Sequence, residues 1–125
     1  MRVTSFRVMA GDQQGEVIIS RIPQGHSGTL VDNYNRWRGQ VGLGPITDQA
    51  EAHSQSGTVG DLPAMFVTFV GPKTDEPAKE VMIAMTIVGG DDWFIKLIGP
   101  ESLVSSQKDV FNQFVNSLKF TPESK

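Results

Sequence analysis

The sequence predicts an α+β domain: a central antiparallel sheet of about five to six strands with a helix on each face. Three observations lead there. Strand-like runs follow one another with turn residues between them, so neighbours pair as hairpins. Two runs, 64–70 and 81–88, are apolar on both alternating sides, as in strands of a sheet covered on both faces. Two further segments, 29–40 and the stretch after Pro100, repeat apolar residues at helical spacing and supply the covers.

Residues 3–8 alternate, with Thr4, Phe6 and Val8 on one side and Val3, Ser5 and Arg7 on the other. The turn-rich Gly11-Asp12-Gln13-Gln14-Gly15 ends that strand, and 16–22 forms a second one, closed by Pro23. Gly25-His26-Ser27-Gly28 leads into the first helix. Leu30, Tyr34, Trp37 and Val41 form its apolar stripe; Thr29, Asn33, Arg36 and Gln40 form its polar face. Ser27 is placed to cap the helix, and Gly42 to end it in the left-handed conformation. Residues 42–57 are the least regular stretch, with a helical turn expected over 48–53 behind Thr47. Long connections of this kind are often functional.

A short strand at Thr58-Val59 and the runs 64–70 and 81–88 come next, the last two joined by a charged loop over 71–79 that holds Pro72 and Pro77. Gly89-Gly90-Asp91-Asp92 is a hairpin signal leading into a strand over 93–98. Pro100 stands just inside the start of the final helix, where its missing N–H costs nothing. Leu103, Val104, Val110, Phe111, Phe114, Val115 and Leu118 make that helix's apolar face. Ser105, Asp109, Asn112 and Asn116 line the opposite one, and Phe120 begins a tail expected to pack back on the sheet. No repeat, low-complexity tract or linker interrupts this order, so 1–125 reads as a single domain.

Composition narrows the function classes. Of 125 residues, 38% are apolar and 20% charged, which allows a packed core and excludes a disordered chain. Eleven basic against fourteen acidic residues give a net charge of −3, without the basic excess that neutralises phosphates, so no nucleic-acid partner is expected. The absence of cysteine removes disulfides, thiolate zinc sites and cysteine nucleophiles. The longest apolar runs fall well short of the ~20 residues of a membrane-crossing helix, so no transmembrane segment is expected. Met1-Arg2-Val3 runs directly into a strand pattern with no apolar signal region. That leaves a cytoplasmic protein, or a periplasmic or membrane-anchored one whose leader lies outside this sequence.

Two stretches carry a family resemblance. The run Trp93-Phe94-Ile95-Lys96-Leu97-Ile98-Gly99-Pro100, followed by a helix ending Phe111-Asn112-Gln113-Phe114-Val115-Asn116-Ser117-Leu118-Lys119-Phe120, resembles the close of PsbP-like domains. The resemblance implies a central antiparallel sheet sandwiched between helices. The segment Asn33-Tyr34-Asn35-Arg36-Trp37-Arg38-Gly39-Gln40-Val41-Gly42-Leu43 is similar to uncharacterised bacterial proteins, many exported or lipid-anchored, that join this helix to the PsbP-like ending. In those proteins a strand often precedes the segment matching 1–8, so the resemblance implies an upstream piece. It brings no catalytic residues and no activity, and photosystem and Ran binding are not carried over.

Arg36, Trp37 and Arg38 are the most specific cluster. Arginine forks hold carboxylate or phosphate, and tryptophan offers a stacking face. The plain structural reading puts Trp37 in the core and pairs Asp32 with Arg36 at i,i+4. Gly25 and Gly28, ahead of the helix, either shape a turn or present backbone N–H groups to an anion. With Asn33 on the same helix, they complete the candidate ligand site. Neither the GK[ST] ending of a P-loop nor GxGxxG is present.

His26 and His53, the only histidines, have no metal-ligand spacing and read as exposed loop residues. Asp91-Asp92 reads as a hairpin turn, with too few oxygen ligands for calcium. Asp75/Glu76 lie in a charged loop with no apolar pocket to shift them. GxSxG is absent, and Ser105 and Ser106 fall on a polar helix side. No catalytic residue, metal or cofactor is therefore assigned. The leading expectation is a non-catalytic binding or assembly module of the bacterial envelope, whose partner is a protein or a small anionic ligand. The alternative is a small enzyme or ligand-binding protein with a pocket beside the first helix, using His26 or His53 as general base.

Overall fold

The computed structural model describes residues 2–23, 25–26, 28–48, 54–72 and 78–119. Strands β1 (Arg2–Ala10) and β2 (Gln13–Ile22) form the first hairpin, and helix α1 (Leu30–Gln40) then carries the chain to the far edge of the sheet. From there β3 (Ser54–Val59), β4 (Leu62–Val70), β5 (Lys79–Val88) and β6 (Asp91–Pro100) meander back until β6 pairs with β2. The result is a six-stranded sheet, β1-β2-β6-β5-β4-β3, antiparallel at every step. Two short helices, α2 (Glu101–Ser106) and α3 (Lys108–Ser117), follow. The β5–β6 turn is Gly89-Gly90, with φ of 59° and 88°. Both central residues are left-handed, as the tight hairpin joining Val88 to Asp91 requires.

The two-sided burial expected for 81–88 is present on β5. Val81 and Ile83 pack with Tyr34, Trp37 and Val41 of the α1 region, together with Val67, Phe69 and Phe94. Met82 and Ala84 join the other cluster, with Leu103 and Val104 of α2 and Phe111 and Val115 of α3. Each fully buried side chain of this size contributes about 1.5–3 kcal/mol over an exposed one, so the two clusters hold the helices against the strands between them.

Several elements differ from the sequence reading. The final helix is two: Gln107, at φ −103° and ψ 10°, breaks it, and its N–H is shared between Leu103 O and Val104 O. Pro100 ends β6 rather than lying inside the helix. The first hairpin has a two-residue turn at Gly11-Asp12, with Ala10 opposite Gln13, in place of a five-residue loop. Residues 54–57, read as loop, belong to β3, because Ser54 through Val59 pair with Val67 through Leu62. Thr29, not Ser27, caps α1. The expected helical turn over 48–53 keeps only a bend at Thr47-Asp48 within the described residues. Ser27, His53, Asp75, Glu76, Pro77 and the Phe120 tail lie outside the described residues.

Candidate functional site

Helix α1 organises the site. Thr29 Oγ1 accepts from Asp32 N at 3.1 Å, and Asp32 Oδ2 accepts from Thr29 N at 3.2 Å, a reciprocal box that satisfies two N-terminal donors. Asp32 is thereby committed to the helix end, and the expected pair with Arg36 does not form. At the other end, Val41 is the C-cap and Gly42 follows at φ 89°. The Asn35 side-chain amide donates to Ile46 O at 2.9 Å and accepts from Ile46 N at 2.7 Å, folding the next loop back along the helix.

With 3.6 residues per turn, consecutive side chains are about 100° apart. The Arg-Trp-Arg run therefore puts one arginine on each flank of Trp37, which is 2% exposed. Arg38 turns to the loop side: Nε donates to Gly44 O at 2.8 Å and the guanidinium lies 5.6 Å from the Phe69 ring centroid. Arg36 turns to the β2–β6 side and lies 5.6 Å from the Trp37 centroid. It is exposed and makes no hydrogen bond or ion pair among the described residues.

On that flank the pairing of β2 with β6 sets Ile18 opposite Lys96 and Ser20 opposite Phe94. These residues, with Arg36 and the edge of Trp37, enclose a cleft of about 250 Å³. Lys96 Nζ stands on its wall, steadied by Gln40 Oε1 at 2.9 Å. A wider depression of about 440 Å³, lined by Arg7, Glu16, Gln40 and Lys79, continues along the same side of the sheet. Two cations, a hydroxyl and an apolar floor suit a carboxylate or phosphate borne on an apolar body.

Gly28 and Asn33 belong to a different hollow. They line a groove of about 690 Å³ at the N-terminal end of α1, with Leu30, Met65, Met85, Ile87 and Phe94. Asn33 is buried, and its Nδ2 donates to Thr29 O at 3.1 Å, within the helix's own first turn. Gly25 is exposed and, like Gly28, has positive φ, the turn geometry weighed for this loop. The six candidate residues thus divide. Arg36 and Trp37 face the basic cleft, Gly28 and Asn33 the apolar groove, Arg38 braces a loop, and Gly25 lines neither hollow. Phe94 borders both hollows. Lys96 and Ser20 are additions that strand register alone brings into place.

Other polar residues have structural work. Arg21 and Asp91 form an ion pair at 2.7 Å that ties the β5–β6 hairpin to β2. Ser105 Oγ does not face away from the sheet as its helical position suggested; it donates to the buried Glu80 Oε1 at 2.8 Å. His26 is exposed and lines neither hollow. Among the described residues no three His, Cys, Asp or Glu cluster as metal ligands, and no helix is long and apolar enough to cross a membrane.

No family model and no curated protein matches the sequence. In structure the chain is similar to a Pseudomonas aeruginosa protein of unknown function, PA94, described as a candidate regulator. The two superpose with a TM-score of 0.64 over 96% of this chain and 83% of that one, at 11% sequence identity. At that identity the likeness speaks to the fold alone: an α+β arrangement on an antiparallel sheet.

Proposed function

We propose that the protein is a non-catalytic binding or assembly module of the bacterial cell envelope, built as a PsbP-like sandwich, which captures an anionic group in the cleft between α1 and strands β2 and β6. The observation that carries the reading is the placement of Arg36. In a chain of net charge −3, an exposed guanidinium that meets no carboxylate among the described residues faces Lys96 across an apolar floor. Both arginines lie against a ring, Arg36 on Trp37 and Arg38 on Phe69, but Arg38 is also tied by its hydrogen bond to Gly44 O, whereas Arg36 keeps its donors unspent among the described residues. The envelope assignment and the sandwich family rest on the sequence resemblance. The ligand is a carboxylate or phosphate carried by a partner protein or a small molecule. No histidine lines the cleft, so the reading of a small enzyme with a histidine base draws no support from it.

The test is an amide-resonance titration with acetate, inorganic phosphate and a short acidic peptide. Shifts should centre on Ser20, Arg36, Trp37 and Lys96 and vanish in Arg36→Ala, while Arg38→Ala keeps them. Equal shifts in wild type and Arg36→Ala would remove the cleft as the binding site.

A further inference from the structure

The two edges of the sheet are chemically unlike. The β3 edge, Ser54-Gln55-Ser56-Gly57-Thr58, is polar. The β1 edge carries Val3, Phe6 and Met9, each between 43% and 60% exposed, and Val110 of α3, 56% exposed, shares an apolar hollow with Phe6, Val8 and Phe114. Edge strands ordinarily carry charge or a covering element, because their unpaired backbone groups invite another strand. Here the one described charged side chain on the edge is Arg7.

Register decides which backbone groups are available. Ala10 and Gln13 flank a two-residue turn and so form a pair that exchanges both hydrogen bonds. Alternation then directs Val8 and Phe6 toward β2, and leaves Met9, Arg7 and Ser5 with their N–H and C=O groups pointing out from the sheet. We infer that β1 pairs antiparallel with β1 of a second copy of this chain about a two-fold axis at Phe6, joining two six-stranded sheets into one.

The strand is self-complementary in this register. Ser5 faces Arg7 of the second copy in a hydrogen-bonded pair, Thr4 faces Val8, and Phe6 faces Phe6 in a close, non-hydrogen-bonded pair. Shifting the axis to Arg7 would set two guanidiniums against each other, at the cost of like charges directly opposite. The Phe6 ring already meets Phe114 edge-on, with centroids 5.5 Å apart, so a second Phe6 extends an existing aromatic contact and covers the hollow under Val110. An isologous pairing of this kind closes with two chains.

The absence of native cysteine makes the test direct. In the proposed register the Phe6 Cα atoms of the two copies lie about 4.5 Å apart, within disulfide range. Those of the Ser5 residues are separated by about 8 Å or more, from the ~3.3 Å rise per residue. Sedimentation equilibrium should show a reversible dimer. Mild oxidation should cross-link Phe6→Cys but neither Ser5→Cys nor the β3-edge control Ser56→Cys, and Phe6→Lys should yield a folded monomer. Should the Phe6 variants fail to fold, hydrogen exchange on the wild type decides: the Ser5, Arg7 and Met9 amides gain protection with rising concentration. A chain monomeric from micromolar to millimolar concentration, a dimer cross-linked through Ser56, or concentration-independent exchange at those three amides would overturn the pairing.

Discussion

The Trp37 indole meets the Phe94 ring edge-on, with centroids 5.3 Å apart and planes at 71°. Through this contact the helix motif and the β6 strand share one core, and Phe94 also borders both hollows beside α1. Trp37 is therefore a wall of the cleft because it is first a core residue. Replacing it with alanine should cost about 3–5 kcal/mol, the range for deleting a large buried aromatic. Chemical denaturation read by circular dichroism measures the loss. A change under about 1 kcal/mol would mean the indole is not packed as described.

The two arginines beside Trp37 should separate in a stability assay. Arg36→Ala removes an exposed side chain and should stay within about 0.5 kcal/mol of wild type. Arg38→Ala removes the donor to Gly44 O and the guanidinium over Phe69, and should destabilise by about 1 kcal/mol. Thermal melts of the two variants side by side test the division. Equal melting temperatures would put both arginines in one class.

The contrast between these neighbours shows what could be read from sequence. The stripe Leu30, Tyr34, Trp37, Val41 was legible because helical spacing names a buried face, and Trp37 on that stripe fixes the flanks of its neighbours. The cap has a sequence signal too: Thr29 has an acid three residues on, at Asp32, whereas Ser27 offers only its residue type. Lys96 and Ser20 could not be found, because they reach the cleft only through the register of β2 on β6, strands that lie far apart in sequence. Of β3 only Thr58-Val59 was legible, for a related reason. Its polar Ser54–Val59 is strand by virtue of pairing with β4, not by its own propensity. The break at Gln107 has neither glycine nor proline to announce it.

Beneath α2, Glu80 is 1% exposed and accepts a hydrogen bond from Ser105 Oγ. A buried carboxylate depends on its donors, since removing one leaves it partly unsolvated. Ser105→Ala should cost about 1–3 kcal/mol, more than an ordinary surface serine. Glu80→Gln keeps an acceptor of the same shape for Ser105. In the Glu80→Gln background the further Ser105→Ala step should cost less than in wild type, because the acceptor is neutral. Equilibrium urea unfolding of the four-member cycle gives the coupling. A coupling near zero would leave the contact without energetic weight.

Tyr34 connects the α1 core to alkaline stability. Its side chain is 1% exposed and its ring meets Phe69 at 5.6 Å and 68°. Burial pushes the phenol's pKa above its ordinary 10.0, and a hydrogen bond with the Ser54 side chain pulls part of the way back. The sign follows from proton counting. Above about pH 10 the unfolded chain releases this proton first, while the folded chain still holds it, so stability falls as pH rises. Below pH 10 both states are protonated and the group adds no slope. Tyr34→Phe should lose about 1 kcal/mol at neutral pH with the Ser54 hydrogen bond, yet show a shallower decline above pH 10 than wild type. Tyr34 is the sole tyrosine of the chain, so tyrosinate absorbance reports it without ambiguity. In wild type that absorbance should rise at a higher pH than in the urea-unfolded chain. Ionisation at the same pH in the folded and unfolded chains would show that the phenol is not held in the core.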